Sequence, residues 1–530
     1  FWLKPVCGSS QRFMTQLESK LWATAINVIL TLVILVFWPL ILSVLLFLWF
    51  APALEWVLRG RGREYLDGIG ALNINYSNQY VTGLVVFSEK ADHTQFFQHF
   101  IDTFLGEGSE HSQFDRFKDF PVTHQLFWPY WSRDATFHPA RHLVRHEEEI
   151  NHLELEKVLA NIGTEDLDAC HPLWQLHLFE RYIPRDGLAT SAGVFKFHHI
   201  YGDGFAITRI LMQAADPKRP PPTALRVRPR PEKPSVFFTF LAAMSAIKKL
   251  LLMADDPVSA LKSARLLKAT DARNMAWHQL EHLTLDDLKA VGKSTGSTVN
   301  DVLIAGFAGA LQRADERSRG FSERRRTITS ILWMSLNPLT GLFQDPAEKP
   351  LEWSCRSLGA LYFKLTLDSA CQSHMLLAET KARLDSLKNS PEPIVASKML
   401  ALFGSFPKVV LRPILNAIGN KATMSLSNMP GPQFDFLWCG LPVQSLVFFV
   451  PPAGTVGIYA TLMTFNGKVL LGMSSDDAVL NLDALRRVVH VDFEDCLKNL
   501  AECQVLAAAS AGAPSEADLR TRASAKRPRS

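Results

Sequence analysis

Hydrophobic and polar positions divide the chain into a long uncharged stretch near its start and a longer region of alternating short patterns. No side chain between Leu21 and Leu54 carries a charge. Beyond residue 65, apolar runs of strand length are separated by segments with helical spacing. Tyr80 to Phe87, Gly457 to Phe465 and Lys468 to Ser474 are such runs. The pattern predicts an α/β fold preceded by a hydrophobic N-terminal segment.

The uncharged stretch is long enough to cross a bilayer, since roughly twenty apolar residues suffice. Pro39 divides it, so the prediction is either one kinked helix or a hairpin of two short helices. Basic residues flank it on both sides: Lys4, Arg12 and Lys20 before, and Arg59, Arg61 and Arg63 after. This symmetry favours a hairpin with both ends cytosolic. We therefore interpret residues 1–64 as a membrane anchor, with a buried helix of a soluble protein as the alternative.

Proline content and charge predict the remaining boundaries. Pro217 to Pro234 is rich in proline and arginine, as in an extended interdomain crossover. Its basic residues either solubilise it or attract a polyanionic cosubstrate or acidic headgroups. Phe237 to Leu252 is apolar but too short to span, and is either a membrane-surface helix or a core helix. The predicted parts are a domain at 65–216, a linker at 217–275, a second domain at 276–505 and a disordered tail at 506–530.

Composition excludes several function classes. The net charge of +4 is small for 530 residues, so overall charge gives no argument for nucleic-acid binding. The seven cysteines are scattered and never form a C-x-x-C pair. They indicate neither a disulfide framework nor a zinc ribbon, and they suit a reducing compartment.

Candidate chemistry concentrates where a predicted strand breaks into a turn. The strand from Val194 to Phe197 leads into His198 and His199, and Gly202-Asp203-Gly204 supplies the chain reversal. A helix follows, with its apolar face formed by Ile207, Ile210, Leu211 and Ala214. Neighbouring strand residues point to opposite faces, so one histidine is expected to be chemical and the other supportive. The alternatives are two neutral imidazoles at a turn, and a metal site that lacks an obvious fourth ligand.

Two further segments carry polar groups at defined positions. Thr298-x-x-Asp301 has the form of a capping box, which places Asn300 in the first turn of a helix. An asparagine there is, on local evidence, a plain cap. Ser427-Asn428-Met429-Pro430-Gly431-Pro432 is predicted to be a rigid turn.

Together these motifs resemble the bifunctional wax ester synthase/acyl-CoA:diacylglycerol acyltransferases, which belong to the chloramphenicol acetyltransferase-like, CoA-dependent acyltransferases. The resemblance covers roughly Leu66 to Leu500 and includes, in the family's order, Pro172-Leu173-Trp174-Gln175-Leu176-His177, His198-His199-x-x-x-Asp203-Gly204, Thr298-Val299-Asn300-Asp301-Val302-Leu303 and Ser427-Asn428-Met429-Pro430-Gly431-Pro432. Between Trp333 and Leu365 the family's clear polar, asparagine-containing segment is not found, and only Ser357-Leu358-Gly359-Ala360 corresponds to it. The resemblance implies two α/β sandwich domains with a tunnel along their interface and the His-His turn halfway along it.

The resemblance also implies roles for individual residues. His199 would take the proton of an attacking alcohol and return it to the CoA thiolate, without an acyl-enzyme. Asp203 would fix the turn through a hydrogen bond or an arginine pair, Gly204 would leave room for the thioester, and His198 would support its neighbour. Asn300 would donate to the tetrahedral oxyanion.

The expected function is that of a membrane-bound O-acyltransferase that moves a long acyl group from acyl-CoA to a fatty alcohol or diacylglycerol. Acyl-CoA is then a cosubstrate, and no cofactor, metal or nucleic acid is expected. The lipid bilayer is the remaining partner, and the endoplasmic reticulum, with cytosolic catalytic domains, is the expected location. The alternatives are another acceptor (sterol, retinol or amine) and an inactive, membrane-tethered lipid-binding or scaffold protein.

Overall fold

The computed structural model describes residues 39, 42–43 and 63–512, with gaps at 78, 107–113, 124–127, 186, 214–215, 218–243, 245–247, 249–251, 258, 269, 320–324, 336–357, 369–372, 389 and 391. The chain divides into two units, Phe1–Arg63 and Glu64–Ser530. Nearly all of the predicted anchor and much of the predicted linker lie outside the described residues. Among the residues that are described, no helix has the length and apolar character needed to span a membrane.

Strands and helices alternate through the second unit. The strands are β1 (Glu64–Tyr65), β2 (Tyr80–Phe87), β3 (Asp119–Val122), β4 (Tyr130–Arg133), β5 (Leu143–Asn151), β6 (Trp174–Ile183), β7 (Thr190–His198), β8 (Asp216–Pro217), β9 (Arg273–Gln279), β10 (Arg326–Ser335), β11 (Leu358–Leu367), β12 (Met424–Pro430), β13 (Phe436–Trp438), β14 (Leu441–Phe449), β15 (Ile458–Phe465) and β16 (Lys468–Asp476). The helices are α1 (Gly68–Tyr76), α2 (His93–Phe100), α3 (His152–Thr164), α4 (Gly204–Gln213), α5 (Leu285–Thr295), α6 (Val299–Arg319), α7 (Ser373–Lys388), α8 (Glu392–Phe403), α9 (Lys408–Asn420), α10 (Leu482–Arg487) and α11 (Phe493–Gly512).

Two large sheets organise these elements. The first has the strand order β5-β6-β7-β2-β14-β13-β8, the second has β11-β10-β12-β15-β16-β9, and a small third sheet has β1-β4-β3. Helix α6 packs its apolar stripe against the second sheet, where Leu303, Phe307 and Leu311 are buried. The prediction of a two-domain α/β fold is confirmed.

The sheets do not follow the predicted division of the chain at residue 276. Strands β13 and β14 come from the C-terminal half but complete the first sheet, where β14 pairs antiparallel with β2. Gly83 on β2 permits this pairing, because a Cβ there would lie 2.8 Å from the ring of Phe448. The first lobe is therefore built from two distant parts of the chain.

Two predicted elements were wrong in their structure or extent. The segment predicted as a rigid turn at Ser427–Pro432 is a strand as far as Pro430, paired with β15 up to Pro430 opposite Thr464. Pairing with β10 on the other side stops at Ser427. Because β10 has no residue opposite Pro430, the N–H that proline lacks is not needed for pairing on that side. The tail predicted to be disordered from residue 506 begins as helix, since α11 extends to Gly512. Alanine, the strongest helix former, dominates that extension.

Candidate active site

The His-His turn lies at the end of a central strand of the first sheet. Strand β7 ends at His198, residues His199–Tyr201 form a single 3₁₀ turn, and α4 begins at Gly204. The backbone N–H of His198 donates to the carbonyl of Leu173 (2.8 Å), and that of His199 donates to the carbonyl of Gln79 (2.7 Å). Strands on both sides therefore fix where the turn begins.

His198 lies behind the turn. Its side chain is fully buried, and its Nδ1 accepts the backbone N–H of Ile200 at 3.2 Å. The Nε2 atom lies 3.1 Å from the backbone nitrogen of Gln79. Burial, reinforced by the neighbouring His199, lowers the pKa of His198 to about 3. The ring is neutral, and it is absent from the residues that line the cavity described below.

His199 faces that cavity. Its side chain is half-buried, and burial lowers its pKa below that of free imidazole. Hydrogen bonds with its own backbone and with that of Gly202 favour the protonated ring and oppose this effect. The same hydrogen bonds fix the orientation of the imidazole. The turn thus presents an oriented imidazole to the cavity, and burial favours its neutral form.

Asp203 fixes the start of α4. Its side chain is buried, and Oδ1 accepts the backbone N–H of Ala206 at 2.9 Å, as an N-cap does. Gly204 follows as the first helical residue. A Cβ at that position would lie 2.1 Å from Sδ of Met429 on β12. Glycine is needed there so that α4 can approach the second sheet closely.

Asn300 occupies the predicted place but does not line the cavity. The capping box is confirmed, because the Thr298 N–H donates to Oδ2 of Asp301 (2.8 Å) and the Asp301 N–H donates to Oγ1 of Thr298 (3.3 Å). The Oδ1 atom of Asn300 accepts a hydrogen bond from Nδ2 of Asn428. Asn428, on β12, does line the cavity. The oxyanion-donor role that the resemblance implies for Asn300 stays a prediction, and the Ser427–Pro432 motif places a second asparagine, Asn428, next to Asn300.

A cavity of about 280 Å³ lies between the two lobes. The first lobe contributes α1, the His-His turn and the start of α4, and the second contributes β10–β12, β15, α8 and α9. Most of its lining is apolar, with polar groups interspersed. The polar members include Tyr76, Gln79, His199, Thr208, Ser427, Asn428 and Thr461. An apolar space with a few convergent polar groups is typical of a small-molecule site.

A separate histidine cluster bears on the metal alternative. Among the described residues, the group with metal-ligand spacing is His152, Glu156 and His490, none of which lines the cavity. Glu156 accepts hydrogen bonds from Nε of Arg486 (2.6 Å) and Nε2 of His490 (3.0 Å). Although burial opposes the change, these partners and His152 lower the pKa of Glu156 to about 2. Burial itself lowers the pKa of His490 to about 4, so a neutral His490 donates to a charged Glu156. The cluster joins α3 to the segment Val488–Asp492.

Comparison with known proteins identifies relatives of both halves of the chain. The model of the wax ester synthase/diacylglycerol acyltransferase catalytic domain matches residues 71–269, and that of the WS/DGAT C-terminal domain matches residues 357–496. Wax ester synthase/diacylglycerol acyltransferase 6 of Arabidopsis thaliana is 27% identical over 341 residues, which cover 54% of this chain and 64% of the relative. The chain thus spans less than two thirds of that relative. A putative diacylglycerol O-acyltransferase of Mycobacterium tuberculosis is 24% identical over 407 residues, which cover 71% of this chain and 77% of the relative.

Solved structures show the same fold. The wax ester synthase/diacylglycerol acyltransferase from Marinobacter aquaeolei VT8 superposes with a TM-score of 0.58 at 18% identity, covering 83% of this chain and 99% of its own. The first condensation domain of the calcium-dependent antibiotic synthetase superposes with a TM-score of 0.52 at 14% identity. The match covers 84% of this chain and 96% of that domain's chain. The two-lobed architecture is shared by both.

Proposed function

Because the chain belongs to the wax ester synthase/diacylglycerol acyltransferase family, we propose that it is a membrane-bound O-acyltransferase. It moves a long acyl group from acyl-CoA to a fatty alcohol, a diacylglycerol or both, at the endoplasmic reticulum with its catalytic lobes in the cytosol. The observation that carries the proposal is the position of His199, which faces an apolar cavity between the two lobes. That space suits two substrates with long hydrocarbon chains.

The reaction follows from one imidazole. Neutral His199 takes the proton of the acceptor hydroxyl while the hydroxyl oxygen bonds to the thioester carbonyl carbon. The tetrahedral intermediate then collapses, the carbon–sulfur bond breaks, and the departing thiolate receives the proton from the imidazolium. The lowered pKa of His199 keeps the base form available at neutral pH.

Neighbouring groups position this chemistry. Asp203 caps α4 and so sets the geometry of the turn that aims His199. Asn428 is the amide at the cavity wall that suits the oxyanion, and Asn300 holds it through their hydrogen bond. Asn300 is then a positioning residue, and Gly204 lets α4 approach Met429, the neighbour of Asn428, closely.

Replacing His199 with alanine tests the proposal. Microsomes containing the full chain are incubated with labelled acyl-CoA and a mixture of fatty alcohol, diacylglycerol, sterol, retinol and amine, and the products are identified by mass spectrometry. Wild type should form wax ester or triacylglycerol, and His199→Ala should lower the rate by about 10²–10⁴-fold at equal protein level. The exposed His374→Ala is the control and should retain full activity. Undiminished activity in His199→Ala excludes it as the base, and a wild type inactive on every acceptor supports the scaffold alternative.

A further inference from the structure

Helix α8 separates the cavity from the protein surface by the thickness of one helix, roughly 10 Å. Met399, Leu400 and Phe403 of α8 line the cavity. Ile394 and Leu402 lie on the opposite side of the helix, where they are exposed. These two residues are eight positions apart with Lys398 midway, so they form one stripe along the helix. The inner side of the helix is largely apolar, and the outer stripe has an apolar residue at each end with a lysine between them.

Helix α9, the next helix along the chain, repeats this arrangement. Leu415 and Ile418 face the cavity, whereas Val409 and Val410 project outward with 74% and 43% of their surface exposed. Exposed apolar residues are ordinary when they are scattered, but these four lie on two helices consecutive in the chain. We call Ile394, Leu402, Val409 and Val410 the outer apolar face.

Acidic residues are few on this part of the chain, and Glu392, the first residue of α8, lines the cavity. No aspartate or glutamate occurs from residue 393 to residue 434. Lys398, Lys408 and Arg412 lie on the two helices, and none of them forms an ion pair with a carboxylate in the part of the chain that the structure describes. Arg412 donates from Nε to the backbone carbonyl of Tyr76 (3.0 Å). An apolar face bordered by basic residues without carboxylate partners is the pattern of a helix at an anionic lipid surface. Two copies of this face would repel each other, so charge argues against self-association.

We propose that the outer apolar face docks on an anionic lipid bilayer, and that the lipid acceptor enters the cavity through the wall formed by α8 and α9. The identity of the acceptor rests on the proposed function, whereas the contact with lipid does not. Entry through this wall would spare the acceptor a passage through water. The hydrophobic N-terminal segment would tether the chain, and the outer apolar face would orient it.

Photolabelling tests the contact without relying on catalysis. The full chain carrying His199→Ala is bound to vesicles of phosphatidylcholine and phosphatidylserine that contain a diazirine phospholipid, irradiated, and digested with trypsin. Label is expected in the peptides 399–408 and 409–421, and absent from the peptide that contains the exposed Leu188 on the loop between β6 and β7. Absence of label from both α8–α9 peptides overturns the docking proposal, whatever the activity of the wild type.

A charge variant tests entry of the acceptor. Val409 and Val410 are the second and third residues of α9, where aspartate is compatible with the helix dipole, so Val409→Asp/Val410→Asp should fold. Its kcat/KM should fall about ten-fold for an acceptor embedded in these vesicles, and change less than about two-fold for a short, water-soluble alcohol. Leu188→Asp, at a position about as exposed as Val409, should change neither value. An equal effect on both acceptors, or on neither, overturns entry through α8 and α9. If wild type esterifies nothing while the photolabel persists, the proposed function fails and the docking stands.

Discussion

Gly204→Ala probes the closest approach between the His-His turn and the second lobe. The added Cβ would lie 2.1 Å from Sδ and 2.9 Å from Cε of Met429. Ordinary contacts between such atoms are about 3.5–4.0 Å, so the thioether has to retreat by roughly 1.5 Å. Methionine has three rotatable bonds and can move at modest cost.

The effect on stability and the effect on activity should therefore differ. Overpacking typically costs about 1–3 kcal/mol, and a flexible neighbour places this variant at the lower end, about 1 kcal/mol. Activity should suffer more, because Met429 follows Asn428 and Gly204 begins the helix after His199. Displacement of reacting groups by about 1 Å costs about 10²-fold in rate. We expect a loss of about 10²-fold in kcat with only a small loss of stability.

Ester formation and urea unfolding, measured on the same preparations, give the two quantities. Gly193→Ala, on the strand that leads into the His-His turn, is the matched control, because a Cβ there meets Phe87 and Trp438 at an ordinary 3.5 Å. The double variant Gly204→Ala/Met429→Ala should recover much of the activity that Gly204→Ala loses, because the clashing thioether is gone. Its activity should approach that of Met429→Ala alone. Wild-type activity in Gly204→Ala, or no recovery in the double variant, would refute the steric reasoning.

Three further outcomes follow from the site and from the lobe contact. Burial lowers the folded pKa of His199, so the acidic limb of the rate–pH profile should lie below pH 6.5, and a limb above that value would contradict the assignment. Asn428→Ala should lower kcat by about 10²-fold and Asn300→Ala by less, and a larger loss in Asn300→Ala would reverse their roles. Glu156 has a pKa of about 2 instead of 4.5, so it stabilises the fold fully above pH 4.5 and this contribution disappears as the pH falls toward 2. Glu156→Gln should thus lose about 3 kcal/mol in urea unfolding at pH 7 and much less near pH 2, and a loss independent of pH would rule out this ionic contribution.

Local sequence patterns predicted the elements that depend on local interactions. The strand, turn and helix around His199 follow from a buried run, a glycine-rich reversal and a helical stripe within a short segment. The capping box at Thr298 likewise depends on residues three positions apart. The bonds within these motifs, from Ile200 to His198, from Ala206 to Asp203 and between Thr298 and Asp301, join close neighbours in the chain.

Elements stabilised by distant partners were not predictable in this way. The proline and glycine near Pro430 favour a turn locally, but pairing with β15 keeps the segment extended. The same strand carries Asn428 to the cavity, which periodicity alone does not reveal. Strand β14 pairs with β2 across more than half of the chain, and no local pattern specifies that partner. A glycine opposite Phe448 was the available signal, and it has meaning only once the register is known.

Sheet pairing, more than the apolar lining, fixes the chemistry at this site. Strand β2 pairs with β7 on one side, placing Tyr80 opposite His198, and with β14 on the other. Strand β12 is held between β10 and β15 and carries Asn428. His199 and Asn428 are therefore positioned by backbone ladders, whereas Met399, Leu400 and the rest of the α8–α9 wall line the cavity from helices that belong to neither sheet. Substitutions in that wall can change which acceptor fits without moving His199, so the identity of the acceptor is expected to vary more readily than the acyl-transfer chemistry.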